Sequence, residues 1–350
     1  MKQVRTKIAG MGYYVPENVV TNDDLAKVMD TNDEWIQERT GIKERRYVTR
    51  MKETAATMGV EASKKAMEKA GVTAEDIDFV IFATLSPDYF FPGCGVLVQR
   101  ELGLDKVGAL DIRNQCSGFI YGLSVADQFI KTGMYKNILL IGGEAHSSGL
   151  DFSTRGRNVT VIFGDGAGAV VLQPTEEDGK GVLTTHLHSD GRYAEKLAFI
   201  NPGSHGGAHT GNTEYYDEDV YGELMMTQKI MDAGDRYPNM EGPFVFKNAV
   251  RRFPEVINEA LSATGHSVED IDMLIPHQAN LRISQFVQSI MGLPDDKVFN
   301  NIQKYGNTTA ASIPIALCEA YDAGKVKDGD LVCLAAFGSG FTWASALIRW

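Results

Sequence analysis

Residues 61–84, EASKKAMEKAGVTAEDIDFVIFAT, and residues 255–278, EVINEALSATGHSVEDIDMLIPHQ, carry one pattern twice. Each has apolar residues at helical spacing, then a turn, then E-D-I-D, then a short apolar run. The E-D-I-D segments begin at Glu75 and Glu269, an offset of 194. A second pair, QCSGFIYGLSVADQFIKTGMYKNILLI (115–141) and TTAASIPIALCEAYDAGKVKDGDLVCL (308–334), overlays without gaps at 193. So large an offset is no solenoid period. It predicts a duplicated α/β unit whose helices and strands alternate around a sheet. The runs VIFAT, ILLIG, MLIP and LVCLA are nearly continuous in apolar residues, as strands covered on both faces should be.

The repeat divides the 350 residues into an N-terminal half (1–175), a loop-rich connection or insertion (176–242) and a C-terminal half (243–350). The connection contains NPGSHGGAHTGNTEYYDEDVYGE, dense in Gly, Asn and acidic residues, and MMTQKIMDAG (225–234), a candidate helix with a Met-rich face. With 43% apolar and 23% charged residues the chain has the composition of a globular protein. Its formal charge of −12 argues against nucleic-acid or anionic-membrane partners, because a polyanion would need a local basic patch. The N-terminus has no signal-peptide apolar core, and no apolar run approaches the ~20 residues that span a bilayer. The expected location is cytoplasmic.

Four scattered cysteines, without any C-x-x-C pair, fit a reducing compartment. Cys94, Cys318 and Cys333 sit in or beside apolar patterns and read as packing. Cys116 differs: it lies in LDIRNQCSGFIYGL, between an apolar strand and a helical pattern. A strand-to-helix junction puts the thiol at a helix N-terminus, where the dipole and free N–H groups favour thiolate. The same N–H groups can hold an acyl oxyanion. His277 ends the strand MLIP, and Asn307 precedes a small-residue helix in YGNTTAAS. Duplicated halves facing across a pseudo-twofold would bring these three residues together. The glycine-rich turn in AFGSGFTW (336–343) could add backbone donors.

Other motifs are weaker. GDGAGA (164–169) looks like a dinucleotide fingerprint, but VVLQP follows it, and that is a strand where a helix is required. A tight turn in the sheet is the expectation there. His186-x-His188 and His205-x-x-x-His209 have no carboxylate or Cys arranged around them in sequence, so no metal site is expected.

At CSGFIYGL, FGDGAGAVVL, PHQANLRI, YGNTTAASIP and FGSGFTWASALIRW the sequence resembles the β-ketoacyl-acyl-carrier-protein synthase III family. The resemblance implies a thiolase-like fold, a homodimer of five-layered α-β-α-β-α subunits, and decarboxylating condensation of an acyl-CoA primer with malonyl-acyl carrier protein. No cofactor beyond these substrates is implied. It makes Cys116 the acylated nucleophile, His277 and Asn307 the donors to the enolate oxygen, and the Cys116 and Ser339 amides the oxyanion hole. It places Thr31, Trp35, Arg39, Arg157 and Asn280 along a coenzyme A tunnel, with Trp35 and Arg157 sandwiching the adenine. Phe91 should line the acyl pocket, and Lys247, Arg251, Arg252 and Arg282 should dock the acidic carrier.

Some positions depart from the family pattern. Arg113, Asn114 and Gln115 stand before the nucleophile where small residues are common, and GSG replaces the frequent GGG. With the long middle region, these changes favour a primer longer than acetyl. A degradative thiolase would carry a C-x-G cysteine where Gly338-Ser339-Gly340 stands. A specialised condensing enzyme or acyltransferase, and a non-catalytic acyl-CoA-binding homologue, are the remaining alternatives.

Overall fold

The computed structural model describes residues 4–211, 213–216 and 225–350. Two sheets carry the chain. The first contains β1 (Arg5–Tyr14), β2 (Phe79–Ala83), β3 (Gly108–Ile112), β4 (Ile138–Glu144) and β5 (Gly166–Thr175), in the spatial order β1-β5-β4-β2-β3. The second contains β6 (Gly181–Ser189), β7 (Met273–Pro276), β8 (Leu331–Gly338) and β9 (Thr342–Arg349), in the order β7-β8-β9-β6. Inside each sheet two parallel strands (β2 with β4, β7 with β8) continue into antiparallel ones (β5 with β1, β9 with β6).

Seven helices complete the layers used below: α1 (Asp33–Thr40), α2 (Ala55–Ala70), α3 (Cys94–Leu102), α4 (Gly118–Lys131), α5 (Gly242–Thr264), α6 (Leu281–Met291) and α7 (Ser312–Asp322). The central layer is α4 with α7. Phe119, Leu123 and Ile130 pack with Ile313, Ala316 and Leu317, and the same cluster takes Ile81 and Leu140 from one sheet and Ile275 and Val332 from the other. Helices α2 and α3 cover the outer face of the first sheet. Helices α5 and α6 cover the outer face of the second. The result is the duplicated α/β unit expected from the repeat, in the five-layered α-β-α-β-α arrangement that the family resemblance implies. Both faces of β2, β4 and β8 are consequently buried, which accounts for their unbroken apolar runs.

The E-D-I-D segments form the same local device in both halves. Thr73 and Asp76 close a capping box on one 3₁₀ turn, and Ser267 and Asp270 close one on the other. Each turn delivers the chain into the first parallel strand of its sheet. The 3₁₀ turns Gln115–Ser117 and Thr309–Ala311 also correspond, at 194 instead of the ungapped 193. Gln115 and Thr309 are matched to the residue: both have positive φ, 42° and 48°.

Two expectations change. The connection 176–242 is not wholly loop, because its residues 181–189 form β6, which pairs with β9. GVLTTHLHS mixes polar residues into both faces, so its strand character comes from pairing more than from an apolar pattern. The GDGAGA run is also no turn: from Gly166 onwards it is β5 itself. Its glycines answer close approach. A Cβ on Gly164 would lie 2.1 Å from the Tyr305 carbonyl oxygen, and one on Gly168 2.7 Å from Pro314. The Met-rich segment yields a short helix, Gln228–Ala233; residues 217–224 of the acidic stretch lie outside the described residues.

Candidate active site

Cys116 sits in the 3₁₀ turn ahead of α4, at the floor of a cavity of about 440 Å³. Leu85, Phe90, Leu150, Phe163 and Phe199 make its apolar wall, and Arg113, Gln115, His146, Thr309 and Ser339 bring polar groups. The thiol is only 7% exposed. The Thr309 hydroxyl and the main-chain N–H groups of Cys116 and Ser339 face the sulfur and favour thiolate, as the junction predicted. Burial outweighs them: desolvation, reinforced by the Glu144 carboxyl, pushes Cys116 up to about 12. The helix-start donors thus act as expected, and burial opposes them more strongly in the resting site. Cys94, Cys318 and Cys333 are buried too, and burial also pushes each up to about 12. None of those three lines this cavity.

The Ser339 and Cys116 amides converge on one sulfur, so they occupy the arrangement expected of an oxyanion pair. Gly338 makes the approach possible, since a Cβ there would stand 2.6 Å from Cys116 Cβ and 3.0 Å from Sγ. The Ser339 hydroxyl donates to the Leu197 carbonyl, tying this turn to the connecting segment. A glycine at 339 could not make that tie.

His277 follows β7, is 3% exposed and lies against α7: its Nδ1 is 2.6 Å from Ser312 Oγ. Gln278 N–H donates to the same oxygen at 3.4 Å; in the tautomer in which the Ser312 hydroxyl donates to Nδ1, the neutral imidazole carries its proton on Nε2. Nε2 is buried with no hydrogen-bond partner. Burial and the neighbouring His146 push His277 down to about 3, so the ring is neutral at physiological pH. Asn307 is buried too; its Oδ1 accepts the Thr309 N–H at 2.8 Å, leaving Nδ2 as the donor end. Cys116, His277 and Asn307 are thus gathered around one 3₁₀ turn, Thr309–Ala311, and the helix it starts.

Sequence reasoning missed three polar groups of this neighbourhood. Glu144, at the end of β4, is fully buried and held by Thr84, Ser86 and the Leu85 amide; burial pushes it up to about 7. His146 follows two residues later and lines the cavity. Thr309 links it to the thiol. The signal was present: polar residues directly after the buried strand ILLIGG repeat the pattern that singled out His277 after MLIP.

The remaining expected residues are placed unevenly. Trp35 is flanked by two guanidiniums, Arg39 at 4.5 Å and Arg157 at 5.0 Å from its ring centroid. A planar ring inserted between Trp35 and Arg157 needs roughly 7 Å, two contact distances, so Arg157 must move to admit one. Thr31 has a buried hydroxyl with no partner. Asn280 is the N-cap of α6, its Oδ1 accepting Arg282 N–H and its Nδ2 donating to the Arg39 carbonyl. Phe91 is 80% exposed and does not line the cavity; its neighbour Phe90 does. An aromatic pair on one turn cannot send both rings inward. On α5, Arg251 and Arg252 both bind Glu255, and Arg252 also lies 4.4 Å over Trp343. Lys247 and Arg282 are exposed on α5 and α6, which meet through Phe246 and Phe286. His186 and His188 share Glu259, and His205 bonds Asn201.

Comparison with known proteins agrees with this geometry. Residues 110–191 match the family described as 3-oxoacyl-[acyl-carrier-protein (ACP)] synthase III, and residues 261–350 its C-terminal counterpart. The chain is 43% identical over 352 residues to a β-ketoacyl-[acyl-carrier-protein] synthase III of Xanthomonas euvesicatoria, covering 100% of this chain and 99% of that protein. A relative of the same name from Caldanaerobacter subterraneus is 44% identical over 349 residues, covering 100% and 99%. The crystal structure of 3-oxoacyl-[acyl-carrier-protein] synthase III from Aquifex aeolicus superposes with a TM-score of 0.86 at 44% identity, covering 99% of this chain and 100% of that one. With its duplicated halves, its buried cysteine and these full-length matches, the chain belongs to the β-ketoacyl-[acyl-carrier-protein] synthase III family.

Proposed function

We propose that the protein condenses an acyl-CoA primer with malonyl-acyl carrier protein, with loss of CO₂, to give a β-ketoacyl-acyl carrier protein. The observation that carries this reading is one helix start, Thr309–Ser312, that touches the cavity-lining cysteine through Thr309 and, through Ser312, a neutral histidine behind the cavity wall whose buried Nε2 has no partner. Cys116 takes the acyl group from the primer thioester and releases coenzyme A. Its own amide and that of Ser339 hold the tetrahedral oxygen. The malonyl thioester then loses CO₂, and the enolate oxygen is held by His277 Nε2–H and Asn307 Nδ2–H. The enolate carbon attacks the acyl-Cys carbonyl and frees the thiol. Departure of CO₂ generates the carbanion, so two neutral donors serve where a general base would otherwise be needed, and the chemistry calls for no metal or cofactor. A neutral ring suits this role, because an imidazolium would lose its proton to the enolate.

The cavity and its largely apolar wall support a primer longer than acetyl, with Leu197, Phe199, Pro202 and Pro238 of the connecting segment as its outer limit. Carrier docking falls to Lys247 and Arg282, whose charges are not spent within the α5–Glu255 cluster; Arg251 and Arg252 assist. The edge strand β3 supports a homodimer. It is the last strand of its sheet, with Leu110 37% exposed, and a second copy pairing there would cover it. No described helix is long and apolar enough to cross a membrane, which accords with work in the cytoplasm beside a diffusing carrier.

Intact-mass measurement after incubation with acyl-CoAs of two to twelve carbons tests the reading. Wild type should gain one acyl group, preferentially of six carbons or more, and Cys116→Ala none while still binding coenzyme A. Absence of any acyl adduct on the wild type would make the protein an acyl-CoA-binding homologue; adducts restricted to acetyl would make it a short-primer initiator.

A further inference from the structure

The resting thiol poses a problem that the reaction as written leaves open: a group pushed up to about 12 must lose its proton to attack a thioester. The main-chain donors around the sulfur can stabilise charge but cannot accept a proton. His277 is committed to Ser312 through Nδ1. One other base lies on the cavity wall. His146 Nε2 stands 2.8 Å from Thr309 Oγ1, and the Thr309 hydroxyl faces Cys116 Sγ. All three side chains line the same cavity.

Both intermediaries are held in place. The His146 ring packs against Phe163, with centroids 4.8 Å apart, and its backbone N–H is anchored on the buried Asp165 carboxyl. Thr309 is kept at φ 48°, a conformation rare for a β-branched residue, and its N–H is bonded to Asn307 Oδ1. The matched residue Gln115 has the same backbone conformation, so this geometry belongs to the duplicated turn; at 309 it presents a hydroxyl whose nearer acceptor is His146 Nε2 at 2.8 Å, with Asn307 Oδ1 at 3.4 Å.

We propose that Thr309 and His146 form a proton relay for Cys116: as Sγ attacks the primer thioester, its proton passes to Thr309 Oγ1 and the Thr309 proton passes to His146 Nε2. The Sγ–carbonyl bond forms, the thioester C–S bond breaks, and the proton returns through Thr309 to the departing coenzyme A thiolate, giving free thiol. Thr309 touches the reacting sulfur; His146 acts through it, as a positioning residue that also stores the proton. Burial holds His146 down to about 3 and Cys116 up to about 12, each against forming a lone charge, so the proton reaches Nε2 only in concert with attack, when the imidazolium forms together with the developing negative charge. Around the relay, the neutral His277 after β7 faces His146, the Asp165 carboxyl before β5 holds the His146 backbone N–H, and Glu144 on β4 acts on the Cys116 sulfur.

The relay rests on the acyl-enzyme reading, so its test follows that single step. Rapid-quench intact mass gives the rate of Cys116 acylation by an acyl-CoA between pH 6 and 9. Wild type should be nearly independent of pH. Thr309→Val and His146→Leu should each slow acylation about 10²-fold or more, the range of a positioned acid–base group. Their rates should climb about tenfold per pH unit, because only unaided thiol ionisation then supplies the nucleophile. Thr309→Ser should restore the wild-type profile, and the double variant should be no slower than either single. His146→Gln keeps a hydrogen-bonding partner for Thr309 without a base, and should behave like His146→Leu while retaining the wild-type melting temperature. A wild-type rate and profile in His146→Gln overturns the relay alone. Failure of the wild type to acylate at all overturns the acyl-enzyme reading and the relay with it.

Discussion

The two halves of this molecule are built alike and used differently. In one, β2, the turn Gln115–Ser117, α4 and β4 follow in order; in the other, β7, the turn Thr309–Ala311, α7 and β8 do. Each turn presses against a glycine at the far strand of the opposite half. A Cβ on Gly338 would meet Cys116, and one on Gly142 would lie 2.3 Å from the Ala310 carbonyl oxygen. The reciprocal contacts make the pseudo-twofold visible in atoms. Yet the nucleophile stands on one turn only, where its counterpart is Ala310. The second half supplies what surrounds it: His277, Asn307, Thr309 and the Ser339 amide. Duplication thus gave two copies of a helix-start geometry; in the proposed reaction one forms the covalent bond and the other stabilises charge. The outer edges differ as well. β3 closes the first sheet as a full strand, whereas the second sheet has only an isolated bridge, Leu274 with Val298, at the matching edge.

If the division of labour is correct, removing charge stabilisation should spare bond formation. His277→Ala should acylate Cys116 at near wild-type rates but release labelled CO₂ from malonyl-carrier about 10²–10³-fold more slowly, as loss of one oxyanion donor costs about 2.7–4 kcal/mol. Asn307→Ala should slow CO₂ release as much and acylation too, because Asn307 Oδ1 also holds the Thr309 N–H. Normal CO₂ release in either variant would break the comparison. The reciprocal glycines sharpen it. Gly142→Ala meets a backbone oxygen and should lower stability by about 3 kcal/mol or more in denaturant titration. Gly338→Ala meets Cys116 at Cβ, at 2.6 Å, and at the more movable Sγ, at 3.0 Å, so about 1–3 kcal/mol is expected, with the larger loss in acylation rate.

Acid should act on the two halves through one histidine each. His146 and His277 are held down to about 3, against 6.5 when unfolded, so the unfolded chain binds more protons between those values. Stability supplied by each is present above pH 6.5 and lost as pH falls towards 3, about 1–2 kcal/mol each by pH 5. Glu144 and Asp165 oppose this. Raised to about 7 and 6, they favour the folded state at low pH and lose that contribution as pH rises through those values. His277→Ala should therefore flatten the acid limb of stability against pH; an unchanged slope would contradict the buried neutral ring. The smallest effects belong to the matched capping boxes. Thr73→Ala and Ser267→Ala should each cost about 0.5–1 kcal/mol, equal within error, by thermal melting.

The internal repeat was legible because two features survive divergence. E-D-I-D is retained for a capping box that works locally, and the apolar runs are retained because strands covered on both faces tolerate little else. The same logic exposed Cys116, His277 and Asn307, each at a strand end or helix start. It failed where neighbours decide. β6 carries a mixed pattern and becomes a strand by pairing with β9. The glycines of GDGAGA imitate a nucleotide loop but answer the close approach of Tyr305 and Pro314. Phe90 and Phe91 are indistinguishable in sequence, and the turn that carries them aims only the first at the cavity.

From sequence alone came the duplicated α/β architecture, through local periodicity and capping, the family, through its motifs, and Cys116 as the proposed nucleophile, through its place between a strand and a helix. Tertiary structure alone decided the state of the thiol. A helix start predicts thiolate, but the charge of Cys116 is set by how much water its neighbours exclude, and burial wins. It also decided which bases can reach the sulfur. Thr309 and His146 are 163 residues apart in the chain, and their 2.8 Å contact exists only because the two halves face each other across the central helices.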